Sequence, residues 1–331
     1  MTATTAPHRH TPAHASGTRS PGPQPRWRPS HDVFGQTYYV LRWSMPVLLV
    51  WLAVAIATAW LDSGLALPMT SISAYYYTDV HTVFVGVLIA LGVLLVVIQG
   101  RTPWEDALMN TAGALAPFVA LLPTPVTASD TCIAPYCTSR MLDDVIPDNH
   151  EIIAFNVLTA IPVWLILCAY LTRRAWTMRH GEPRERHSSI FSAATTTVFG
   201  AAGLLVWFDD GTRQLFYDRA HLTSAALMVT MLIASMVPFA MWMGPSTRWP
   251  FTRGPFARWP GLLGNEFWVV LWLTLLGLAA CGLVYVVKDQ WDHTVLVVEI
   301  AAIVPFFLYW GLQGLALGRR DRNGPPVERS A

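Results

Sequence analysis

The sequence predicts an all-α, polytopic integral membrane protein with eight transmembrane helices. Three observations support this prediction. Of the 331 residues, 53% are hydrophobic and only 13% are charged, whereas soluble domains carry about 25% charged residues. The hydrophobic residues gather in stretches long enough to be membrane helices. The basic residues fall almost entirely in alternate connecting segments, as in a multi-pass protein.

The eight spans follow from the length of the hydrophobic stretches. Roughly 20 residues cross the hydrocarbon core of a bilayer, and backbone groups there must pair within their own segment, so each stretch is expected to be helical. The third stretch is the weakest because it contains Asn110 and Pro117. The predicted spans are 39–61, 80–98, 107–122, 152–171, 190–208, 221–243, 267–287 and 294–317.

The positive-inside rule favours eight spans with both termini on the cytoplasmic side of the plasma (inner) membrane. With this topology, the inner side holds all the 22 Lys and Arg residues except Arg140, Arg213, Arg219 and Lys288. Without the third span, the arginines between 173 and 186 would lie outside. The net charge of +1 is therefore a cancellation between a basic inner face and an acidic outer face.

The ends and loops indicate the domain organisation and the partners. Residues 1–36, rich in Pro and His, predict a disordered cytoplasmic tail. Residues 37–318 are predicted to form the membrane domain, and residues 319–331 a basic cytoplasmic tail.

The expected partners are the bilayer and, at the cytoplasmic face, anionic lipids. The Arg-Trp-Pro segment 248–262 suits anchoring among headgroups, with partner binding as the alternative. With Lys288 as the only lysine, no nucleic-acid partner is expected.

Histidine and aspartate recur together at the outer starts of the even-numbered spans. The residues are His81, His150, His221 and His293, with Asp79 and Asp148 beside the first two. Helix capping explains the acids. The imidazoles have three interpretations: separate polar residues at the headgroup level, ligands of a divalent metal such as zinc together with the two aspartates, or a pH-responsive cluster.

A second pattern suggests an internal duplication. Residues 77–82 resemble residues 217–223, four spans later, and His150 and His293 are each followed six residues on by a polar residue, Asn156 and Glu299. A 4+4 parallel repeat, as in several membrane folds, is the prediction.

Glu299 is the only acidic residue predicted deep inside a span, about 9 Å from its outer end at 1.5 Å per residue. An ionisable residue at that depth is costly and is a candidate functional residue, catalytic if the protein is an enzyme. The alternative is a structural glutamate that is hydrogen-bonded to Asn156 or to Thr223 and Ser224.

Two outer segments carry further candidates. Segment 71–78, Ser-Ile-Ser-Ala-Tyr-Tyr-Tyr-Thr, is typical of an aromatic belt at the membrane interface. The alternative is a short re-entrant or lid segment over the histidines.

Cys132 and Cys137 lie in the longest predicted outer loop. A disulfide between them is expected in the oxidising outer compartment, with metal binding by the pair as the alternative.

The Ser-x-Ser-x-Tyr-Tyr-Tyr-Thr segment, with Val-Phe-Val-Gly at 83–86 and Ala-Leu-Leu-Pro-Thr at 120–124, resembles a group of bacterial multi-pass membrane proteins. Their last span is also similar to the one that contains Glu299. This resemblance implies a fold and a location but no chemistry.

The order of Ser71 or Ser73, Asp79 and His81 is remotely similar to the order of the Ser, Asp and His residues in the alkaline ceramidase and adiponectin-receptor superfamily of zinc hydrolases. The His-x-x-x-His pair of that superfamily occurs here only in the tail, at residues 10–14.

The sequence leaves two classes of function open and does not decide whether the protein is an enzyme. It contains no phosphate-binding loop, no Gly-x-Ser-x-Gly and no His-Glu-x-x-His motif. The favoured hypothesis is a non-enzymatic membrane component, transporter-like or an assembly subunit, with an acidic, His-bearing outer vestibule. The alternative is a metal-dependent, membrane-embedded hydrolase that acts on a lipid or acyl substrate at the outer face, with Glu299 or an aspartate as general base.

Overall fold

A computed structural model describes residues 31–62, 70–122, 124, 139–178, 181–243, 265–287 and 293–323. These residues form eight α-helices and one 3-10 helix, and no strand occurs among them. The helices are α1 (His31–Asp62), η1 (Ser73–Tyr77), α2 (His81–Val97), α3 (Pro103–Leu121), α4 (Ser139–Thr177), α5 (Pro183–Phe208), α6 (Arg213–Met243), α7 (Glu266–Val287) and α8 (Thr294–Asn323).

The chain divides into two compact units, residues 1–37 and residues 38–331. In the first unit, the described residues are 31–37, the beginning of α1. All the interactions reported below lie in the second unit.

Six helices, α1 and α4 to α8, are long and apolar enough to cross a membrane. The protein is therefore an all-helical, multi-pass membrane protein that contacts the bilayer. Helix α2 is apolar but only 17 residues long, and α3 begins with acidic residues at Glu105 and Asp106. Eight spans and the 4+4 repeat stay predictions.

The weak hydropathy of helix α3 is consistent with its position, because the helix lies among other helices and not in lipid. It packs against α2, α4, α5 and α6, and residues on all its sides are buried. Because protein surrounds it, its surface consists largely of small residues that let other helices approach. At the crossing with α2, a β-carbon on Gly113 would lie 2.6 Å from the Gly92 carbonyl oxygen, and one on Gly92 would lie 2.9 Å from the Gly113 carbonyl oxygen.

This crossing predicts a specific sensitivity to added volume. Gly113→Ala is expected to lower the free energy of unfolding by about 1–3 kcal/mol, because the two backbones must separate to admit the methyl group. The measurement is the unfolding midpoint in detergent, followed by intrinsic fluorescence. Gly86→Ala in α2 is the control, because no atom lies within 4 Å of the position of its β-carbon. Equal midpoints for the two variants would contradict the close crossing.

Several helices begin earlier than their apolar stretches. Helix α1 begins at His31, within the stretch that we predicted as tail, and α4 begins at Ser139. Helix α6 begins at Arg213, so His221 lies two turns inside the helix and not at its start. The first two turns of α6 carry charged residues. For that reason the predicted apolar span began at residue 221, although the helix itself begins earlier.

Some predicted features lie outside the described residues. These are residues 1–30 of the tail, the segment 248–262, and both Cys132 and Cys137. In α4, the side chains of Asp148 and His150 are likewise outside the description. The predictions made for them stand as predictions.

Candidate functional site

The site is built around residues 70–80, which we call the outer segment after the side on which the sequence predicts it. The Tyr75 and Tyr76 side chains are buried in protein, which favours a folded re-entrant segment over a lipid-facing aromatic belt. The Ser71 hydroxyl oxygen accepts the Ala74 N–H at 2.9 Å and so caps η1. The Leu296 N–H donates to the Thr70 carbonyl at 2.9 Å, which fastens the segment to the beginning of α8.

Glu299, the second-turn carboxylate of α8, holds the beginning of η1. The Ile72 N–H donates to Glu299 Oε2 at 2.5 Å, and the Ser73 N–H also bonds to this carboxyl group. The Ser73 Oγ lies 3.0 Å from Glu299 Oε1. The partners are thus the outer segment, and our expectation of Asn156 or of Thr223 and Ser224 is wrong. Asn156 instead donates to the Leu121 carbonyl at 2.9 Å.

His221 meets the same serine from α6. Its Nε2 lies 2.9 Å from Ser73 Oγ, and its Nδ1 lies 2.5 Å from the Leu122 carbonyl oxygen at the end of α3. The imidazole and the Ser73 side chain are both buried, at 4% and 5% exposure. Three segments that are distant in sequence therefore place a carboxylate, a hydroxyl and an imidazole in successive contact. We call these three groups the Glu–Ser–His chain.

The donors and acceptors of this chain have room for one transferable proton. The Leu122 carbonyl only accepts, so Nδ1 of His221 carries a hydrogen. The Ser73 hydroxyl has a single hydrogen for two neighbours, Nε2 and the carboxylate. For both contacts to be hydrogen bonds, a further proton must reside either on Glu299 or on Nε2. The two arrangements differ only by moving protons along the chain through Ser73.

His81, a candidate metal ligand, bonds within the outer segment. Its Nδ1 lies 2.8 Å from the Tyr76 carbonyl oxygen, and its ring contacts the Tyr76 ring edge to face at 4.2 Å between centroids. Burial raises the pKa of the Tyr76 phenol, so this group stays protonated at neutral pH. His81 and His221 thus contact the same segment at different residues.

No group of three or more His, Cys, Asp or Glu side chains that would hold a metal occurs in the described part of the chain. His293 stands directly before α8 and is half-buried, and Asp79 lies in the outer segment and is exposed. Because Asp148 and His150 lie outside that part, the metal prediction stays a prediction.

A second buried polar group joins α1, α3 and α8, and we call it the inner cluster after the side on which the sequence predicts it. Glu105 is fully buried and accepts from Gln313 Nε2 at 2.8 Å and from the Arg101 N–H at 2.6 Å. The buried Arg42 guanidinium is the nearby positive charge, and it lies 5.0 Å from the centre of the Trp310 ring. Sequence reasoning missed this cluster.

We found no match to this chain among family models, curated proteins or solved structures. The geometry of the described residues is therefore the basis for its function.

Proposed function

We propose that this protein is a non-enzymatic, transporter-like membrane component in which the Glu–Ser–His chain carries a proton. The single observation that supports this proposal is the position of Ser73 Oγ, 3.0 Å from Glu299 Oε1 and 2.9 Å from His221 Nε2. A hydroxyl between two ionisable groups accepts a proton from one and gives its own to the other.

The transfer balances without any further group. In one arrangement, protonated Glu299 donates to Ser73 Oγ, and the Ser73 hydroxyl donates to neutral His221 Nε2. When the carboxyl proton moves to Oγ and the hydroxyl proton moves to Nε2, the result is a carboxylate, a neutral serine and an imidazolium. The Ile72 N–H bond supports the carboxylate, and the Leu122 carbonyl supports the imidazolium.

The proposal links the proton to helix position. Glu299 belongs to α8, His221 to α6 and Ser73 to η1, so any movement that separates these elements interrupts the relay. A proton on Glu299 then favours one arrangement of these elements, and a proton on His221 favours another. Such a difference is required for protonation to be coupled to transport.

Proton flux tests the relay. Proteoliposomes with an imposed pH gradient and an internal pH dye are expected to dissipate the gradient faster than empty liposomes. Ser73→Ala is expected to slow this flux about 100-fold, in the range of a lost acid–base group. Ser224→Ala is the control: it is a buried serine near His221, but its hydroxyl donates to the Ala220 carbonyl of its own helix. Unchanged flux in Ser73→Ala, or no flux in the wild type, would refute the relay.

A membrane-embedded hydrolase is the second candidate because Ser73 and His221 also form a nucleophile–base pair. A serine within 2.9 Å of an imidazole whose other nitrogen is held by an acceptor is the arrangement of nucleophilic catalysis. A fluorophosphonate probe distinguishes the two candidates. Covalent labelling of Ser73, absent in Ser73→Ala, would favour the hydrolase.

The metal-dependent form of the hydrolase is tested by metal analysis of the purified protein. Stoichiometric zinc that disappears when His81, His150, His221 and His293 are replaced with alanine would support it. Wild-type protein purified without metal would refute it.

We also propose the predicted location: the plasma (inner) membrane, both termini cytoplasmic, and anionic lipids at the inner face. Membership of the group with the Ser-x-Ser-x-Tyr-Tyr-Tyr-Thr segment is part of this proposal. Reporter fusions to each terminus test the orientation.

A further inference from the structure

An apolar crevice of about 300 Å³ lies between α3, α4, α5 and α6. Its lining is almost entirely hydrocarbon, and Arg219 is the only charged residue among the described residues that line it. Ligand sites in proteins are commonly apolar concavities of this size, in which a few polar groups fix the orientation of the ligand. The crevice therefore has the composition of a site for an amphipathic ligand with one charged point of contact.

The crevice is about as deep as one leaflet of a bilayer. On α6, its lining runs from Leu215 to Ser224, which is about 13.5 Å of helix at 1.5 Å per residue. The hydrocarbon core of a bilayer is about 30 Å thick, and half of it belongs to each leaflet. Because α6 begins on the side that the sequence predicts as outer, the lipids that reach this crevice are those of the outer leaflet.

A tryptophan closes the inner end of the crevice. Trp164 is the last residue of α4 in the lining, and its indole lies against Gly200 of α5, where a β-carbon would overlap the ring. The indole N–H donates to the Thr196 carbonyl at 3.4 Å. Phe118 and Phe199, which also line the crevice, contact each other edge to face at 6.0 Å between ring centroids. A chain that enters from the outer side therefore ends among aromatic rings.

Arg219 gives the crevice its polarity. A helical side chain leans toward the N-terminus of its helix, so Arg219 leans toward the outer end of the crevice, where it is exposed. Its guanidinium forms no ion pair with a described carboxylate, whereas Arg213, six residues earlier, pairs with Asp210 at 2.7 Å. An ionisable side chain in an apolar membrane environment pairs with an opposite charge, and a guanidinium binds phosphate through two parallel hydrogen bonds.

The surrounding charges decide the kind of ligand. Three aspartates and two arginines lie between the end of α5 and the second turn of α6: Asp209, Asp210, Asp218, Arg213 and Arg219. None of these three aspartates lines the crevice, but together they exceed the arginines by one charge. This excess disfavours a ligand with a net negative charge, such as a free fatty acid. A zwitterionic phospholipid suits both signs, because its phosphate meets the arginine and its cationic group meets the acids.

We propose that this crevice binds one acyl chain of a zwitterionic phospholipid from the outer leaflet, with the phosphate next to Arg219 and the end of the chain at Trp164. An empty crevice would forfeit dispersion contacts along its walls, and acyl chains are the apolar molecules that surround a membrane protein. The inference goes beyond the proton relay, since none of Ser73, His221 and Glu299 lines the crevice.

The binding of a defined lipid tests the phosphate contact. Delipidated protein in detergent is titrated with dipalmitoyl phosphatidylethanolamine, and the bound fraction is measured by native mass spectrometry. Arg219→Gln is expected to raise the dissociation constant about tenfold or more, because a charge-assisted pair is lost. Arg219→Lys keeps the charge but not the paired hydrogen bonds, so a rise of about threefold is expected.

Arg213→Gln is the matched control, because Arg213 belongs to the same end of α6 but does not line the crevice. Its dissociation constant is expected to stay within about twofold of the wild-type value, since an exposed ion pair contributes little. Equal constants for the wild type and Arg219→Gln would overturn the phosphate contact.

Three further probes test the class of lipid. Dipalmitoylglycerol has the same chains without the phosphate, and it is expected to bind about tenfold more weakly. Dipalmitoyl phosphatidylglycerol carries a net negative charge and is expected to bind no better than the zwitterionic lipid. Equal binding of dipalmitoylglycerol, or tighter binding of phosphatidylglycerol, would overturn the zwitterionic phospholipid. Displacement of the bound phospholipid by palmitate at equal concentration would overturn it in favour of a free acid.

Filling the crevice tests the position of the chain. Gly203 lines the crevice, and a β-carbon there would meet only a Phe216 ring carbon, at 3.8 Å. Gly203→Leu therefore adds a side chain to the crevice without moving the backbone, and it is expected to raise the dissociation constant about tenfold. Gly282→Leu on α7 is the control, because no atom lies within 4 Å of its β-carbon position. An unchanged constant in Gly203→Leu would overturn the site.

A photoactivatable lipid locates the chain in the wild-type protein, so this result does not depend on the folding of any variant. Phosphatidylethanolamine with a diazirine at the end of one chain is expected to label peptides that contain Trp164 or Phe199. These peptides are expected to be labelled more strongly than the peptide that contains Leu273 and Leu276, which are exposed on α7. Equal labelling of the peptides would overturn the site.

Discussion

Replacing Glu105 with alanine is expected to lower the free energy of unfolding by about 3–5 kcal/mol, because it leaves a buried charge without its counter-charge. Arg42 is 1% exposed, and its positive charge acts on the buried Glu105 carboxylate. The substitution also removes the acceptor of the Gln313 amide and of the Arg101 N–H. The measurement is the equilibrium unfolding of the purified protein in mixed detergent.

A double substitution separates the charge from the lost packing. Arg42→Leu with Glu105→Ala removes both charges, and the cost is expected to be smaller than the sum of the two single costs. Glu182→Ala is the control: this glutamate is exposed and makes no side-chain capping bond at the start of α5, so its replacement is expected to change stability by less than about 0.5 kcal/mol. Additive costs in the double variant would show that Arg42 and Glu105 do not interact.

Glu299→Ala is expected to release the outer segment at a cost of about 2–4 kcal/mol, since the Ile72 and Ser73 N–H groups lose their acceptor inside the protein. Hydrogen exchange of residues 70–78 is expected to speed up far more than exchange of α3, because the loss is local. The measurement is exchange mass spectrometry on the peptide that covers this segment.

The isosteric variant separates structure from proton transfer. Glu299→Gln keeps one carbonyl oxygen as an acceptor, so the outer segment is expected to stay protected, with a cost of about 1 kcal/mol. The same variant carries no titratable proton and is expected to lose proton flux. Rapid exchange in Glu299→Gln equal to that in Glu299→Ala would mean that the negative charge, and not the acceptor, holds the segment.

The sequence predicted the elements that depend on hydropathy. All eight apolar stretches correspond to α-helices, including the weak third stretch, although α2 and α3 fall short of the six helices that are long and apolar enough to span. Glu299 drew attention in the sequence because a carboxylate in an apolar stretch needs partners wherever it lies, and the structure places those partners in the outer segment; its functional role stays a prediction.

The contacts that complete the site were beyond reach of the sequence. Ser73 and His221 are 148 positions apart, and they meet only in the folded chain. The four histidines looked equivalent by their places at the predicted starts of the even-numbered spans, but His221 lies two turns inside α6 and His81 at the start of α2. Glu105 lies in the first turn of α3, and no pattern in the sequence marks it as a candidate. Its burial depends on α1 and α8, which no local pattern reveals.

Helix α8 connects two buried polar groups, because it carries Glu299 of the Glu–Ser–His chain and Gln313 of the inner cluster. They are separated by about 21 Å of helix at 1.5 Å per residue, and each is fastened to a different part of the structure. Pro305 lies between them inside the helix, where its ring removes one backbone hydrogen bond and lowers the resistance to bending. With both ends held, a change in the protonation of Glu299 is expected to alter the curvature of α8 and not to slide the helix along its axis.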